Sequence, residues 1–419
     1  MPNRVKKVFY RSNHMPLLSP RIEGIKLSPS FAATQRARDL KAAGKDIISV
    51  SLGEPNFPTP DHVCQAAIEA MRRGETHYTN VDGTPELKEA IIRKFKRDNG
   101  IEYTPDQITA GNGAKQVIFN ALMSSLAPGD EVILAAPYYV SYPDMILLAE
   151  GVPVVLNCEG RFGFKLQAGQ LEAAISPKTK WLLMNLPCNP SGAVYSREEL
   201  KALTDTLLCY PHVHLIMDDV YEHIRFDNRD FYTAVQVEPG LHERTLTVNG
   251  VSKAYAMTGW RIGYAGGPEP LIRAMKKFQG QSTSNPCSIS QAAAVAALNG
   301  PQDIVRQRAA AFQERRDRAL ELLNQIPGIQ CHKPEGAFYL YPCCAGLIGK
   351  KCPDGRLLKC DQDVALYLLD EVGVAVVPGS AYGMSPYFRI SLATSMELLE
   401  EACKRIGRAC NRLSANTNI

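Results

Sequence analysis

Short runs of apolar residues recur along the chain between residues 60 and 300, and polar, helix-like segments separate them. The runs are rich in β-branched and large aliphatic side chains, and they do not alternate strictly between apolar and polar positions. Strands that are buried on both faces of a sheet have this pattern. We therefore expect strands at QITAG (107–111), EVILAA (131–136), VPVVL (152–156), KWLLMN (180–185), VHLIMDD (213–219), TLTVN (245–249) and IGYAGG (262–267).

The amphipathic segments between these runs carry helix start signals. Thr84 precedes PELKEAIIRKFKRDNG, Ser196 precedes REELKALTDTLL, and an acidic residue stands in the first turn of each segment. A hydroxyl at that position accepts hydrogen bonds from the free amides of the first turn. Strands that alternate with helices predict an α/β fold with a mostly parallel sheet covered by helices.

The two ends of the chain have a different character. Residues 28–44 form one predicted helix with its lead-in, and residues 301–410 mix long amphipathic helices with short strands such as GAFYLYP and YFRISLA. We expect a large domain at 60–300 and a smaller α+β domain that joins 1–59, including an N-terminal arm, to 301–419. A ligand is then expected between the domains, outside the carboxyl ends of the strands.

Composition and charge exclude several classes of protein. Hydrophobic residues make up 45% and charged residues 21% of the 419, and 47 basic against 43 acidic residues leave a net charge of +4. This balance predicts no nucleic-acid partner, and no apolar run approaches the roughly 18 residues of a membrane helix. Twelve scattered cysteines favour reduced thiols in a cytoplasmic protein. The group Cys343, Cys344, Cys352 and Cys360 lacks zinc-ligand spacing, so we expect no metal.

Polar and aromatic residues follow the predicted strands. Gly111 and Gly113 permit a tight turn before a helix that begins near Ala114, and the free amides of that helix would hold a phosphate. Tyr139 follows the next strand, where a flat ring stacks on a ligand as readily as it packs in an interface. Asn189 stands in an Asn-Pro turn, either as a structural amide or as a donor to a ligand oxygen.

Two further strand ends carry charge. Asp218 ends a buried strand, which is costly unless a partner satisfies the carboxylate, and Tyr221 follows it. Lys253 comes after another strand, between apolar neighbours that favour a desolvated amine with a depressed pKa, and Arg261 follows. Together these groups describe a planar ligand with a phosphate, a protonated ring nitrogen and a carbonyl that condenses with an amine. Pyridoxal phosphate meets these demands.

At this point the chain resembles the fold-type I, class I aminotransferases, and most closely the aspartate aminotransferases of the bacterial I-gamma subgroup, some of which also use prephenate. The resemblance runs from Ile25 to Cys410. It implies a three-layer α/β/α fold with a mostly parallel seven-stranded sheet and a smaller α+β domain. The motifs that carry it are SLGEPNFPTP, HYTNVDGTPELKEAI, PYYVSYP, NLPCNPSG, DDVYEH, VSKAYAMTGWRIGYAGG, PEGAFYLYP and YFRISLATS.

The resemblance implies roles at matching positions. It implies pyridoxal phosphate as cofactor, amino acids and 2-oxo acids as substrates, and a homodimer with shared active sites. The implied catalytic residues are Lys253 as the Schiff-base lysine, Asp218 at the pyridinium nitrogen and Tyr221 at the ring hydroxyl. The other implied cofactor contacts are Asn189 at that hydroxyl, Tyr139 stacked on the ring, Gly113, Ala114, Lys115, Ser252 and Arg261 around the phosphate, and Tyr78 at the phosphate of the neighbouring subunit.

Substrate binding is implied at Arg389, which would clamp the α-carboxylate, and at Gly53, Tyr139, Asn189 and Lys115. Alternation along YFRISLA would by itself place Arg389 on a solvent face. An acidic substrate needs a second cation, and QGQSTSNPCSIS (279–290) holds no arginine. We therefore expect Lys115, aided by Ser28, Ser30 or Lys26, to bind the distal carboxylate.

The expected activity is a ping-pong, Schiff-base transfer of an amino group between aspartate or glutamate and a 2-oxo acid. Two alternatives share the cofactor and most of the motifs. One is an aminotransferase for prephenate or aromatic acceptors, and the other is a carbon–sulfur β-lyase.

Overall fold

The computed structural model describes residues 17–25 and 29–414. The strands are β1 (Ile48–Ser49), β2 (Ile108–Gly111), β3 (Glu131–Ala136), β4 (Val152–Asn157), β5 (Thr179–Asn185), β6 (His214–Asp218), β7 (Thr245–Gly250), β8 (Gly263–Gly266), β9 (Tyr339–Leu340), β10 (Val374–Ala375), β11 (Val377–Pro378) and β12 (Phe388–Ser391).

The α-helices of the same residues are α1 (Pro20–Glu23), α2 (Pro29–Ala42), α3 (Asp61–Arg72), α4 (Pro85–Lys94), α5 (Ala114–Ser125), α6 (Tyr142–Leu148), α7 (Ala168–Ala174), α8 (Arg197–Leu208), α9 (Ala234–Val237), α10 (Glu269–Gly280), α11 (Ser288–Asn299), α12 (Asp303–Asn324), α13 (Asp361–Val372) and α14 (Met396–Asn411). A π-helical segment, Phe95–Asn99, continues α4.

A seven-stranded sheet forms the centre of the molecule, in the order β2-β8-β7-β6-β5-β3-β4. The pairs from β7 to β4 are parallel, and β8 runs antiparallel to both of its neighbours. The predicted mostly parallel sheet is confirmed, and its strands lie within two residues of the apolar runs.

The central strands are apolar on both faces because helices cover both sides. Val132 and Leu134 of β3 pack in a cluster with α5, α6 and α10, whereas Ile133 packs on the opposite face with α7 and α8. Burying each such side chain stabilises the fold by about 1.5–3 kcal/mol. The expectation of two-sided burial is wrong for VPVVL, because β4 is the edge strand and Val152 and Val155 are 45% and 43% exposed.

The predicted helix starts are present. The Thr84 hydroxyl accepts a hydrogen bond from the amide of Leu87 at 3.2 Å. Ser196 forms a capping box with Glu199, in which each side chain accepts from the other residue's amide. These caps satisfy amides that lack a partner within the helix and fix where α4 and α8 begin.

Two small sheets lie outside the main one, and the first of them joins the two ends of the chain. β1 pairs in parallel with β10, where Ile48 lies opposite Val374, and a second sheet has the order β11-β12-β9. A large apolar cluster links these strands to α12, α13 and α14. The division at residues 60 and 300 stays a prediction. None of the described helices is long and apolar enough to span a membrane.

Candidate active site

A cavity of about 830 Å³ lies where the carboxyl ends of β5, β6 and β7 meet the segment after β1 and strand β12. Parallel strands bring their last residues to the same edge of a sheet, and the register places Asn185 of β5 opposite Asp218 of β6. The cavity therefore collects side chains that are far apart in sequence.

Asp218 is the buried carboxylate of this cavity. The hydroxyl of Tyr142, from α6, donates to its Oδ2 at 2.6 Å, and Oδ1 has no hydrogen-bond partner in the described part of the chain. Burial raises the pKa of Asp218 to about 6. The sequence led us to expect a partner for the carboxylate, and the structure leaves Oδ1 buried without one in a residue that lines the cavity. A buried acceptor without a partner is a ready position for a cationic N–H donor.

Lys253 lies in the turn that follows β7. Its Nζ donates to the carbonyl oxygen of Gly53 at 2.5 Å and lies 5.7 Å from the centre of the Tyr221 ring. Burial, and then the charge of Arg389, lower the pKa of Lys253 to about 8. The amine is therefore deprotonated far more readily than an exposed lysine, which suits a nucleophile and a proton acceptor.

An anion cradle lies at the start of α5. Gly113 precedes the helix with φ +90°, and the amides of Ala114 and Lys115, the first two of α5, have no carbonyl to pair with inside the helix. Arg261 completes the cradle, because its Nη2 donates to the carbonyl of Asn112 at 3.2 Å and its Nη1 to that of Thr258 at 2.9 Å. A Cβ at Gly113 would lie 2.3 Å from Nη2 of Arg261, so the arginine needs glycine here.

Arg389 is a second, deeper cation and is only 2% exposed. Its Nη1 donates to Oδ1 of Asn189 at 3.0 Å, its Nη2 donates to the carbonyl of Ser51 at 2.6 Å, and its guanidinium lies 4.4 Å from the centre of the Tyr339 ring. The solvent-facing position that alternation indicated is wrong, because the turn at Asn189 and the segment at Ser51 pack on the side chain of Arg389, and all four residues of β12 are buried.

Comparison with known proteins decides the family. The sequence model of the family "Aminotransferase class I and II" matches residues 45–406, which is most of the chain. The chain belongs to this aminotransferase family.

Full-length relatives agree with this assignment. The aminotransferase is 56% identical over 394 residues to the aspartate aminotransferase of Rhizobium meliloti strain 1021, which covers 94% of this chain and 96% of the relative. It is 55% identical over 400 residues to the aspartate/prephenate aminotransferase of Cereibacter sphaeroides, with 96% and 100% covered.

Solved structures have the same fold. The crystal structure of the Rhizobium meliloti aspartate aminotransferase superposes with a TM-score of 0.93 at 56% identity and covers 95% of this chain and 99% of that one. The structure of the Thermus thermophilus aspartate aminotransferase with maleate superposes with a TM-score of 0.88 at 39% identity. The match covers 94% of this chain and 100% of that one.

Most of the predicted site residues of the aminotransferase line the one cavity: Gly53, Ala114, Lys115, Tyr139, Asn189, Asp218, Tyr221, Ser252, Lys253, Arg261 and Arg389. Gly113 stands directly behind Arg261. Tyr78 does not line this cavity and is 93% exposed. Lys26 and Ser28 lie outside the described residues, as does the side chain of Ser30.

Three residues of the site were missed from the sequence. Tyr142 holds Asp218, Tyr339 shares a hydrogen bond of 2.8 Å with the hydroxyl of Tyr221, and Arg38 of α2 lines the cavity. The two tyrosines stand inside motifs that had been singled out, PYYVSYP and PEGAFYLYP. Arg38 had no signal beyond its place in a helix near the site.

A second polar cluster lies outside this cavity. Asp98, Glu222 and His223 bring possible metal-ligand atoms within 4.8 Å of one another. Arg97 forms two hydrogen bonds to the Asp98 carboxylate, at 2.7 and 2.9 Å, and the buried ammonium of Lys94 pairs with Glu222. These cations already neutralise both carboxylates, so the cluster is an ion-pair network. All twelve cysteines are free thiols.

Proposed function

We propose that this aminotransferase holds pyridoxal phosphate in the cavity and transfers an amino group between aspartate or glutamate and a 2-oxo acid. The observation that carries the proposal is one cavity lined by a partly buried amine of lowered pKa and by a buried carboxylate with an unpartnered oxygen. The residues present fit the cofactor, because the α5 cradle suits its phosphate and Asp218 Oδ1 suits a protonated ring nitrogen.

The proposed binding roles follow from position. The amides at Gly113 and Ala114, with Lys115, Ser252 and Arg261, bind the phosphate. Tyr139 stacks on the ring, and Asn189 and Tyr221 bind the ring hydroxyl oxygen. When bound, pyridoxal phosphate supplies an aldehyde that condenses with amines and a ring that accepts the electrons of a broken Cα–H bond.

The chain's own residues then control protons and orientation. Lys253, once its amine is free, accepts the proton from the substrate Cα at Nζ and later gives it up from the same atom. Asp218 keeps a proton on the ring nitrogen through a charge-assisted hydrogen bond. Arg389 binds the α-carboxylate with its guanidinium fork, and this contact fixes which bond at Cα faces Lys253.

The relatives support a dicarboxylic substrate. Two are named aspartate and aspartate/prephenate aminotransferases, and the Thermus thermophilus structure contains maleate, a dicarboxylate. We propose that Lys115, which is exposed and lies 5.3 Å from the centre of the Tyr139 ring, binds the distal carboxylate. Prephenate as acceptor is the second candidate, favoured by the 55% identity to the Cereibacter sphaeroides relative.

We also propose a homodimer, in which Tyr78 reaches the phosphate of the neighbouring subunit. An aromatic side chain that is 93% exposed beside a second cavity of about 540 Å³ supports such a contact. Sedimentation of the wild-type protein as a monomer would contradict it. A cytoplasmic location stays a prediction from the free thiols.

Half-reaction kinetics over a panel of amino acids test the proposal. The cofactor-loaded protein should convert aspartate and glutamate faster than alanine and release the matching 2-oxo acids. Lys253→Ala should abolish this conversion, and Lys115→Ala should lower the ratio of aspartate to alanine rates. Release of pyruvate and ammonia from cystathionine without an acceptor would instead support the β-lyase. An unchanged ratio in Lys115→Ala would contradict the role of Lys115.

A further inference from the structure

The cavity carries more positive charge than the proposed contacts use. Five cationic side chains and two acidic ones line it. Lys253, Arg261, Arg389 and Lys115, which lies beside Tyr139, all have roles in the proposal above. The remaining cation is Arg38, which no role yet explains.

The structure of α2 places Arg38 at this cavity. Ala37, its neighbour, is 3% exposed and packs in a small apolar cluster with Ile47, Leu369 and Ala375, which fixes the helix against β10 and α13. Arg36 lies on the same helix, and its Nη2 donates to Asp370 at 3.3 Å. Arg38 lies about 100° further around the helix than Ala37, and it lines the cavity.

Arg38 has no hydrogen bond or ion pair with any described residue. Arg38 is exposed, so water satisfies its five N–H donors when no ligand is bound. Besides Asp218, the acidic side chain of the cavity is Glu54. It accepts a hydrogen bond from the hydroxyl of Thr258 and forms no ion pair with Arg38. The guanidinium is therefore available to a ligand that carries its own carboxylate.

We propose that Arg38 is a further specificity-determining residue, which binds the distal carboxylate of dicarboxylic substrates together with Lys115. A guanidinium presents two parallel N–H donors, which match the two oxygens of a carboxylate better than an ammonium does. Arg389 takes the α-carboxylate, so a substrate with one carboxylate leaves Arg38 unused. The inference rests on the proposed function and adds to it a second cation, beside Lys115, that separates dicarboxylic from monocarboxylic substrates.

The experiment compares Arg38→Gln with Arg36→Gln, a matched control on the same helix that does not line the cavity. In half-reactions of the cofactor-loaded protein, Arg38→Gln should lower kcat/KM for aspartate and glutamate by roughly tenfold, which is typical of losing one exposed charge-assisted contact. The kcat/KM for alanine should change by less than about twofold in either variant. Arg38→Lys should recover part of the loss for aspartate.

A binding measurement supplies a readout that does not depend on turnover. Calorimetry should show that Arg38→Gln weakens binding of succinate but not of butyrate, which has the same chain length and one carboxylate. Equal loss for both ligands, or no loss for either, would overturn the role of Arg38. If the wild-type protein transaminates aspartate and Arg38→Gln keeps its aspartate-to-alanine ratio, only this inference fails. If the wild-type protein transaminates no member of the panel, the proposed function itself fails.

Discussion

Replacing Lys253 by methionine in the cofactor-free protein is expected to raise the free energy of unfolding at pH 7. Burial and the charge of Arg389 lower the pKa of Lys253 from its usual 10.5 to about 8, so the fold disfavours the protonated amine. At pH 7 the amine is protonated in both the folded and the unfolded chain, and the whole penalty is present. Methionine has a similar length and no charge, so it removes the penalty.

The size of the effect follows from the pKa values. A pKa lowered from 10.5 to about 8 corresponds to roughly 3 kcal/mol of lost stability at pH 7. Between pH 8 and pH 10.5 the unfolded chain binds more protons than the folded chain, so the stability of the wild-type protein should rise with pH across this window. The variant lacks this rise, and its advantage should vanish near pH 10.5.

Urea unfolding of the two cofactor-free proteins at pH 7, 8, 9 and 10.5 measures this difference. Contributions that do not depend on pH, such as the lost hydrogen bond to the carbonyl of Gly53, cancel when the difference is compared across pH. Lys115→Met is the control, because it removes an exposed ammonium from the same cavity, and we expect a change within about 0.5 kcal/mol. A difference between wild type and Lys253→Met that stays flat from pH 7 to 10.5 would refute the buried-amine reasoning.

Three further changes test other parts of the site. Gly113→Ala should weaken cofactor binding, measured by absorbance titration, because the new Cβ displaces Arg261, whereas Gly129→Ala, also at positive φ but with open space around it, should not. Asp218→Asn should keep the cofactor bound and slow the half-reaction by roughly 10²–10⁴-fold. Burial raises the Asp218 pKa to about 6, so the cofactor-free wild type should lose stability as the pH rises from 4 to 6, and Asp218→Asn should abolish this loss. Arg389→Gln should raise KM for every amino acid tested, with or without a distal carboxylate.

The main sheet and much of the cavity were predictable because one physical rule connects them. Parallel strands buried on both faces leave unbroken apolar runs, and the residue after each run must lie at a common edge. Asp218 and Lys253 could therefore be assigned to one cavity from sequence order alone, and the structure brings both to it.

Other parts of the site depend on packing that no local pattern encodes. The alternation of apolar and polar residues predicts a solvent-facing Arg389. Its side chain is instead buried against Asn189, Ser51 and the ring of Tyr339. Tyr142 reads as core, and only the fold reveals that its hydroxyl meets Asp218. Arg38 has the sequence context of any exposed helical arginine, and only the packing of α2 on β10 and α13 places it at the cavity.

The contact between Arg389 and the carbonyl of Ser51 joins residues that are 338 positions apart along the chain. The main sheet, by contrast, is complete once residue 266 has been made. A chain emerging from the ribosome thus contains the residues of its anion cradle well before Arg389, its deep guanidinium, has been made. Until then the segment from Ile48 onward lacks the partner strand at Val374, and long-range pairings of this kind form slowly. A product truncated before residue 389 would contain the cradle residues and Lys253 but would lack the guanidinium that binds the α-carboxylate.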